Sequence, residues 1–140
     1  MLTVNLARQL RDDGGLLWSP KAGDRFAIDA ELLTGEVFWI SDLTVETQSF
    51  SDQTLLGFNG TTEWALDSVT LDQALWLPRE DQLRELIGSR FRSLSQADGT
   101  WRVDWEATDG LRTTTDPDVE CAYARTLLAI SGETSQRSNG

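Results

Sequence analysis

The stretch "TWRVDWEATDGLRTTT", Thr100 to Thr115, constrains the fold of this chain more than any other. Trp101, Val103, Trp105 and Ala107 alternate with Arg102, Asp104, Glu106 and Thr108, the period of a strand with one buried and one wet face. Asp109-Gly110 is a hairpin signal, and Leu111 to Thr115 is the expected return strand. A half-wet strand of this kind belongs to an antiparallel sheet that is covered on its other side. The cover follows at once in "DPDVECAYARTLLAIS". There Asp116 is placed to cap, Pro117 to take the first helical position, and Val119, Tyr123, Leu127 and Ile130 to form an apolar stripe. Upstream, "LPREDQLRELIGSRF" predicts a helix with Pro78 near its start, Glu80 and Asp81 at the positive end of its dipole, and Leu83, Leu86 and Ile87 inside. Glu80 and Arg84 are spaced to pair, Gly88 to stop the helix, and Phe91 to Ser95 to form a strand. From Pro78 to Ile130 the order is therefore α-β-β-β-α.

The front half predicts a helix over Thr3 to Asp13, capped by Thr3 and stopped by Gly14-Gly15, and then strands. Arg25 to Ile28, one or two strands in "EVFWISDLTVETQSF", and "TLLGFNG" together suggest an antiparallel meander from Arg25 to Phe58. Val37 and Trp39 are its expected buried residues, with Phe38 and Ile40 as further candidates. Trp76 and Leu77 are expected to pack at the entrance of the helix that follows them. The fold class expected is α+β, a mainly antiparallel sheet with helices packed on one face. It is expected as one domain over residues 1–131, followed by a flexible polar tail over 132–140.

A chain of 140 residues can bury about 70% of its unfolded surface, enough for one core without disulfides or metal. Cys121 is the single cysteine, no apolar run reaches the length of a membrane span, and the start of the chain lacks a signal-peptide pattern. A cytoplasmic location is expected. Twelve basic residues against 23 acidic ones leave a net charge of −11, which repels phosphate backbones and anionic lipid. Neither nucleic acid nor membrane is an expected partner. Although the strand and helix order of the back half formally matches a double-stranded-RNA-binding domain, its last helix starts with Asp116, Asp118 and Glu120 instead of basic residues. Such a chain instead has the charge to imitate nucleic acid and occupy a basic partner. With no histidine present, Ser-His-Asp and Cys-His catalysis and His-ligated zinc are excluded unless a partner supplies one.

The runs "GDRFAI", "VFWISDLTVE", "GFNGTTEWALDSV", "ALWLPREDQLRELIG" and "AYARTLLAI" closely resemble a family of small actinobacterial proteins of unassigned function. Many of these carry the label "pilus assembly protein CpaE". The resemblance spans Val4 to Ile130. CpaE proteins proper look like ATPases of the MinD and ParA type, built on a phosphate-binding loop. This sequence has no G-x-x-x-x-G-K-[ST], and its sole lysine, Lys21, follows Pro20, so no ATPase residue carries over. The back half is also similar to small phage and prophage proteins of α-β-α sandwich type, which implies a fold and no activity.

The stretch most like a site is "GFNGTTEWALDS", where Asn59, Thr61 and Thr62 offer hydrogen bonds and Trp64 a stacking face. The plainer reading is a type I′ turn at Asn59-Gly60, with Trp64 and Leu66 entering the core. Six tryptophans exceed what one small core needs, and at least one of Trp18, Trp39, Trp64 and Trp76 is expected at the surface. Asp104 and Glu106 share a strand face with Arg102 and read as solvated surface; Cys121 reads as a buried, inert thiol. No catalytic residue, metal ligand or cofactor is expected. The function expected is a non-catalytic binding or accessory module acting through a protein partner, with a homodimer as a further option. Asn59, Thr61, Thr62, Trp64 and Trp76 are its candidate binding residues. The alternative is a small-molecule-binding protein or atypical enzyme with a site near Asn59 to Trp64.

Overall fold

The computed structural model describes residues 1–28, 37–40, 45–50, 53–58, 68–70 and 74–138. The chain forms two compact units, Met1–Leu17 with Pro78–Gly140 and, between them in sequence, Trp18–Leu77. The fold is α+β, and among the described residues the strands make three antiparallel three-stranded sheets.

The first unit contains α1 (Val4–Asp12), α2 (Glu80–Ile87), a short 3₁₀ turn (Gly88–Arg90), and strands β7 (Phe91–Ala97), β8 (Thr100–Ala107) and β9 (Gly110–Asp116). It ends with α3 (Val119–Ser138). The expected α-β-β-β-α order is present, with β8 central between β7 and β9. Asp98 and Gly99 both have positive φ, 53° and 74°, and link the paired Ala97 and Thr100 as a two-residue turn. The second hairpin is offset by one residue from expectation. Ala107 pairs with Gly110, so Thr108 and Asp109 form the loop and Gly110 enters β9 at φ 130°.

On β8 the expected alternation holds: Val103, Trp105 and Ala107 are buried, while Arg102 and Glu106 face water. Helix α3 lies against β8 and β9, and α1 and α2 lie against α3. Because α3 has neighbours on opposite sides, Cys121, Ala122, Tyr123 and Ala124 are consecutively buried in place of a single stripe. Small side chains here let the neighbouring elements approach closely, and the Thr126 hydroxyl is satisfied by donating to the Ala122 carbonyl at 3.0 Å.

The cap of α3 is Asp118, two residues beyond the expected Asp116. Its Oδ1 accepts from the Cys121 amide at 3.0 Å, because Asp116 still belongs to β9. Asp116 instead receives the Asp118 amide on Oδ1 and Arg125 on Oδ2. Leu86, expected inside, is 41% exposed, which leaves Leu83 and Ile87 as the buried residues of α2. Arg84 lies over the Phe91 ring, 4.2 Å from its centroid. Helix α3 continues through 131–138 despite Gly132 and the low propensity of its serines and threonine. Glu133 in this extension accepts from Arg90 at 2.9 Å and from the Thr108 amide at 3.3 Å.

In the second unit, β1 (Arg25–Ile28) lies between β2 (Val37–Trp39) and β6 (Ala74–Trp76), while β3 (Val45–Phe50), β4 (Gln53–Phe58) and β5 (Ser68–Thr70) make another sheet. The expected meander is thus divided between two sheets. Its first strand recruits β6 from beyond Phe58, a long-range pairing that local hydropathy does not encode.

Candidate functional site

Strand β1 is buried along its whole length, and its register with β2 decides which aromatic side chains turn inward. Phe26 pairs with Phe38 on one side and with Trp76 on the other, so these three share a sheet face. Trp18 covers that face: its ring centroid lies 5.5 Å from Phe26, which lies 5.5 Å from Phe38. The Asp24 carboxylate fixes this tryptophan, accepting from the Trp18 indole at 2.9 Å and from the Lys21 amide at 3.0 Å. Asp24 is buried, so both bonds offset the cost of holding a carboxylate away from water.

The opposite face carries the paired Arg25 and Trp39. Expected in the core, Trp39 is instead 59% exposed, and Ile40 is buried. With Val37, Phe38, Trp39 and Ile40 all apolar, hydropathy could not choose between the alternate faces; pairing with β1 sends Phe38 toward Phe26 and Trp39 outward. Arg25 is only 6% exposed. Its Nε donates to the Leu77 carbonyl at 3.1 Å, and its guanidinium carbon lies 5.6 Å from the centroid of the Trp39 ring. The Leu77 amide returns a bond to the Arg25 carbonyl at 2.9 Å, holding the arginine backbone as well as its side chain. The exposed Trp39 ring thus packs on an arginine that is itself held by two hydrogen bonds to Leu77.

Among the expected site residues, Asn59, Thr61, Thr62 and Trp64 lie outside the described residues. Trp76 is half-buried in β6, and its buried indole N–H has no hydrogen-bond partner among the described residues. The Arg25–Trp39 pair was missed by sequence reasoning. The sequence held no signal for it, because Val37 and Trp39 alternate with Phe38 and Ile40 as two equally apolar sets.

The first unit has a cleft of about 580 Å³ where α1 and α3 begin, lined by Thr3, Asn5, Gln9, Cys121 and Arg125 among others. Its charged groups are engaged with one another, Arg125 with Asp116 at 2.8 Å and the terminal amine with Asp118. Burial raises the pKa of the Cys121 thiol, which disfavours the nucleophilic thiolate. The outward face of β8 carries Asp104, which accepts from Ser93, Arg102 and Thr113 at 2.7 to 2.8 Å. The Ser93 hydroxyl foremost, then Arg102 and Thr113, lower its carboxyl pKa to about 2. That environment holds a permanent carboxylate, unsuited to moving protons near neutrality. Among the described residues, no three His, Cys, Asp or Glu side chains are grouped to hold a metal ion, and no helix is long and apolar enough to cross a membrane. No protein-family model, curated protein or solved structure matches this chain.

Proposed function

We propose that this protein is a cytoplasmic, non-catalytic binding module that docks a protein partner through the Arg25–Trp39 face of its second unit. The observation that carries this reading is Trp39 itself, 59% exposed on a strand whose neighbour holds a buried arginine against it. Exposing an indole to this extent leaves a large apolar area in water, and covering it on association is favourable at roughly 25 cal/mol per Å². Trp and Arg are also the residue types that most often dominate interface energetics.

Photo-crosslinking tests the reading. A benzophenone amino acid placed at position 39 is compared in cells with the same group at Leu111, which is 62% exposed on the first unit. The expected outcome is one discrete protein adduct from position 39 that is not formed from position 111. Co-purification of that protein is lost in Trp39→Ala. An absence of adduct from position 39, or the same adducts from both positions, would overturn the proposal.

A further inference from the structure

Charge is divided very unevenly between the two units. Trp18–Leu77 contains ten of the 23 acidic residues and only two of the 12 basic ones, whereas the first unit holds thirteen acidic and ten basic. Of the two basic residues in the second unit, Arg25 is buried and turned to Leu77 and Trp39, and Lys21 is exposed. The exposed tryptophan therefore belongs to a body with a surplus of eight negative charges. Such a body attracts cationic surfaces over roughly a Debye length, about 8 Å at physiological salt, and repels anionic ones.

Trp39 adds a local recognition element to this field. Tryptophan is the best aromatic acceptor of a guanidinium, and the Arg25 guanidinium already lies 5.6 Å from the ring centroid. We infer that the partner is a basic protein surface and that one of its arginines stacks on the outward face of the Trp39 indole. The inference rests on the docking reading above and specifies its partner class. Two guanidinium groups on opposite faces of one indole would be separated by roughly 10 Å, and because Arg25 is buried their repulsion, at the effective dielectric of about 20 near a protein surface, costs roughly tenfold in affinity. The surplus negative charge of the unit acts in the opposite direction.

A nona-arginine peptide serves as the probe, with nona-glutamate as its control, and binding to the full chain is followed by fluorescence anisotropy at low and physiological salt. The expected result is salt-sensitive binding of the arginine peptide and none of the glutamate peptide. Trp39→Leu retains bulk but has no aromatic face and is expected to weaken binding about tenfold; Trp39→Phe is expected to keep an intermediate affinity. Equal affinity of wild type and Trp39→Leu would reduce the effect to unspecific charge attraction and overturn the inference, as would no binding at low salt. Failure of the docking reading is distinguishable. Crosslinking from position 39 to an acidic or neutral surface sinks the basic partner and keeps the docking face, whereas no adduct sinks the docking face itself.

Discussion

The two units use charged side chains in opposite ways. In the first, acidic and basic residues are nearly balanced and many are bound to one another: Asp116 with Arg125, Glu133 with Arg90, Asp104 with Arg102. Glu120 goes further, accepting from the Leu2 amide at 2.8 Å and the Glu80 amide at 3.2 Å. A single carboxylate on α3 thus serves backbone donors at the starts of α1 and α2. In the second unit a buried carboxylate and a buried guanidinium each hold a tryptophan in place, while the surplus of acid in that unit has no equal number of bases to meet it. Internal pairing directs the first unit's charges to its own architecture. The imbalance of the second leaves that unit with a net negative charge.

The strongest test of this contrast is to remove the core of the first unit. Trp105 is buried and its indole donates to Thr114 at 2.9 Å, so Trp105→Ala should lose about 3–5 kcal/mol in urea unfolding. If it lost less than 1 kcal/mol, β8 would not be the centre of that core. Next in size is Asp24→Ala, which strands the Trp18 indole and the Lys21 amide and should cost about 2 kcal/mol. Its second readout is a change in tryptophan fluorescence, and an unchanged spectrum would separate Trp18 from the aromatic layer.

A smaller effect tests the outward face of the first unit. The pKa of Asp104 falls from 3.8 to about 2 on folding, so it stabilises the protein above the unfolded value, and this contribution is lost as the pH drops through about 2. After discounting for its solvent-facing position, Asp104→Asn should cost about 1 kcal/mol at neutral pH. The difference from wild type should shrink between about pH 4 and pH 2, and a pH-independent difference would contradict the assignment. The smallest change has the opposite sign. Tyr123 is fully buried and its hydroxyl has no hydrogen-bond partner among the described residues, so Tyr123→Phe should leave stability unchanged or raise it by up to about 1 kcal/mol in thermal unfolding. A loss would show that the hydroxyl is satisfied in solution.

The elements that were legible in the sequence are those whose information is local. Thr3 caps α1, its Oγ1 accepting from the Leu6 amide at 3.2 Å, and Gly88 ends α2 at φ 65°, because capping depends on a few adjacent residues. The inward set Val103, Trp105 and Ala107 was readable from alternation alone. Errors arose where several apolar residues run together, as in Val37 to Ile40, or where two acids compete for one cap, as Asp116 and Asp118 do. Of the candidate binding residues, the structure describes Trp76 and places it opposite Phe26; Asn59, Thr61, Thr62 and Trp64 fall outside the described residues.

By itself, the sequence determined the α+β class, the α-β-β-β-α order of the back half, the excess of acid and the absence of histidine. These follow from periodicity, capping and composition, which need no knowledge of what lies across the fold. Only the tertiary structure decided that β6 joins β1, that Phe38 turns inward and Trp39 outward, and that Glu120 serves two helix starts. Each of those depends on strand register or on contacts between residues distant along the chain, and a side-chain pattern of period two changes face with a shift of one residue.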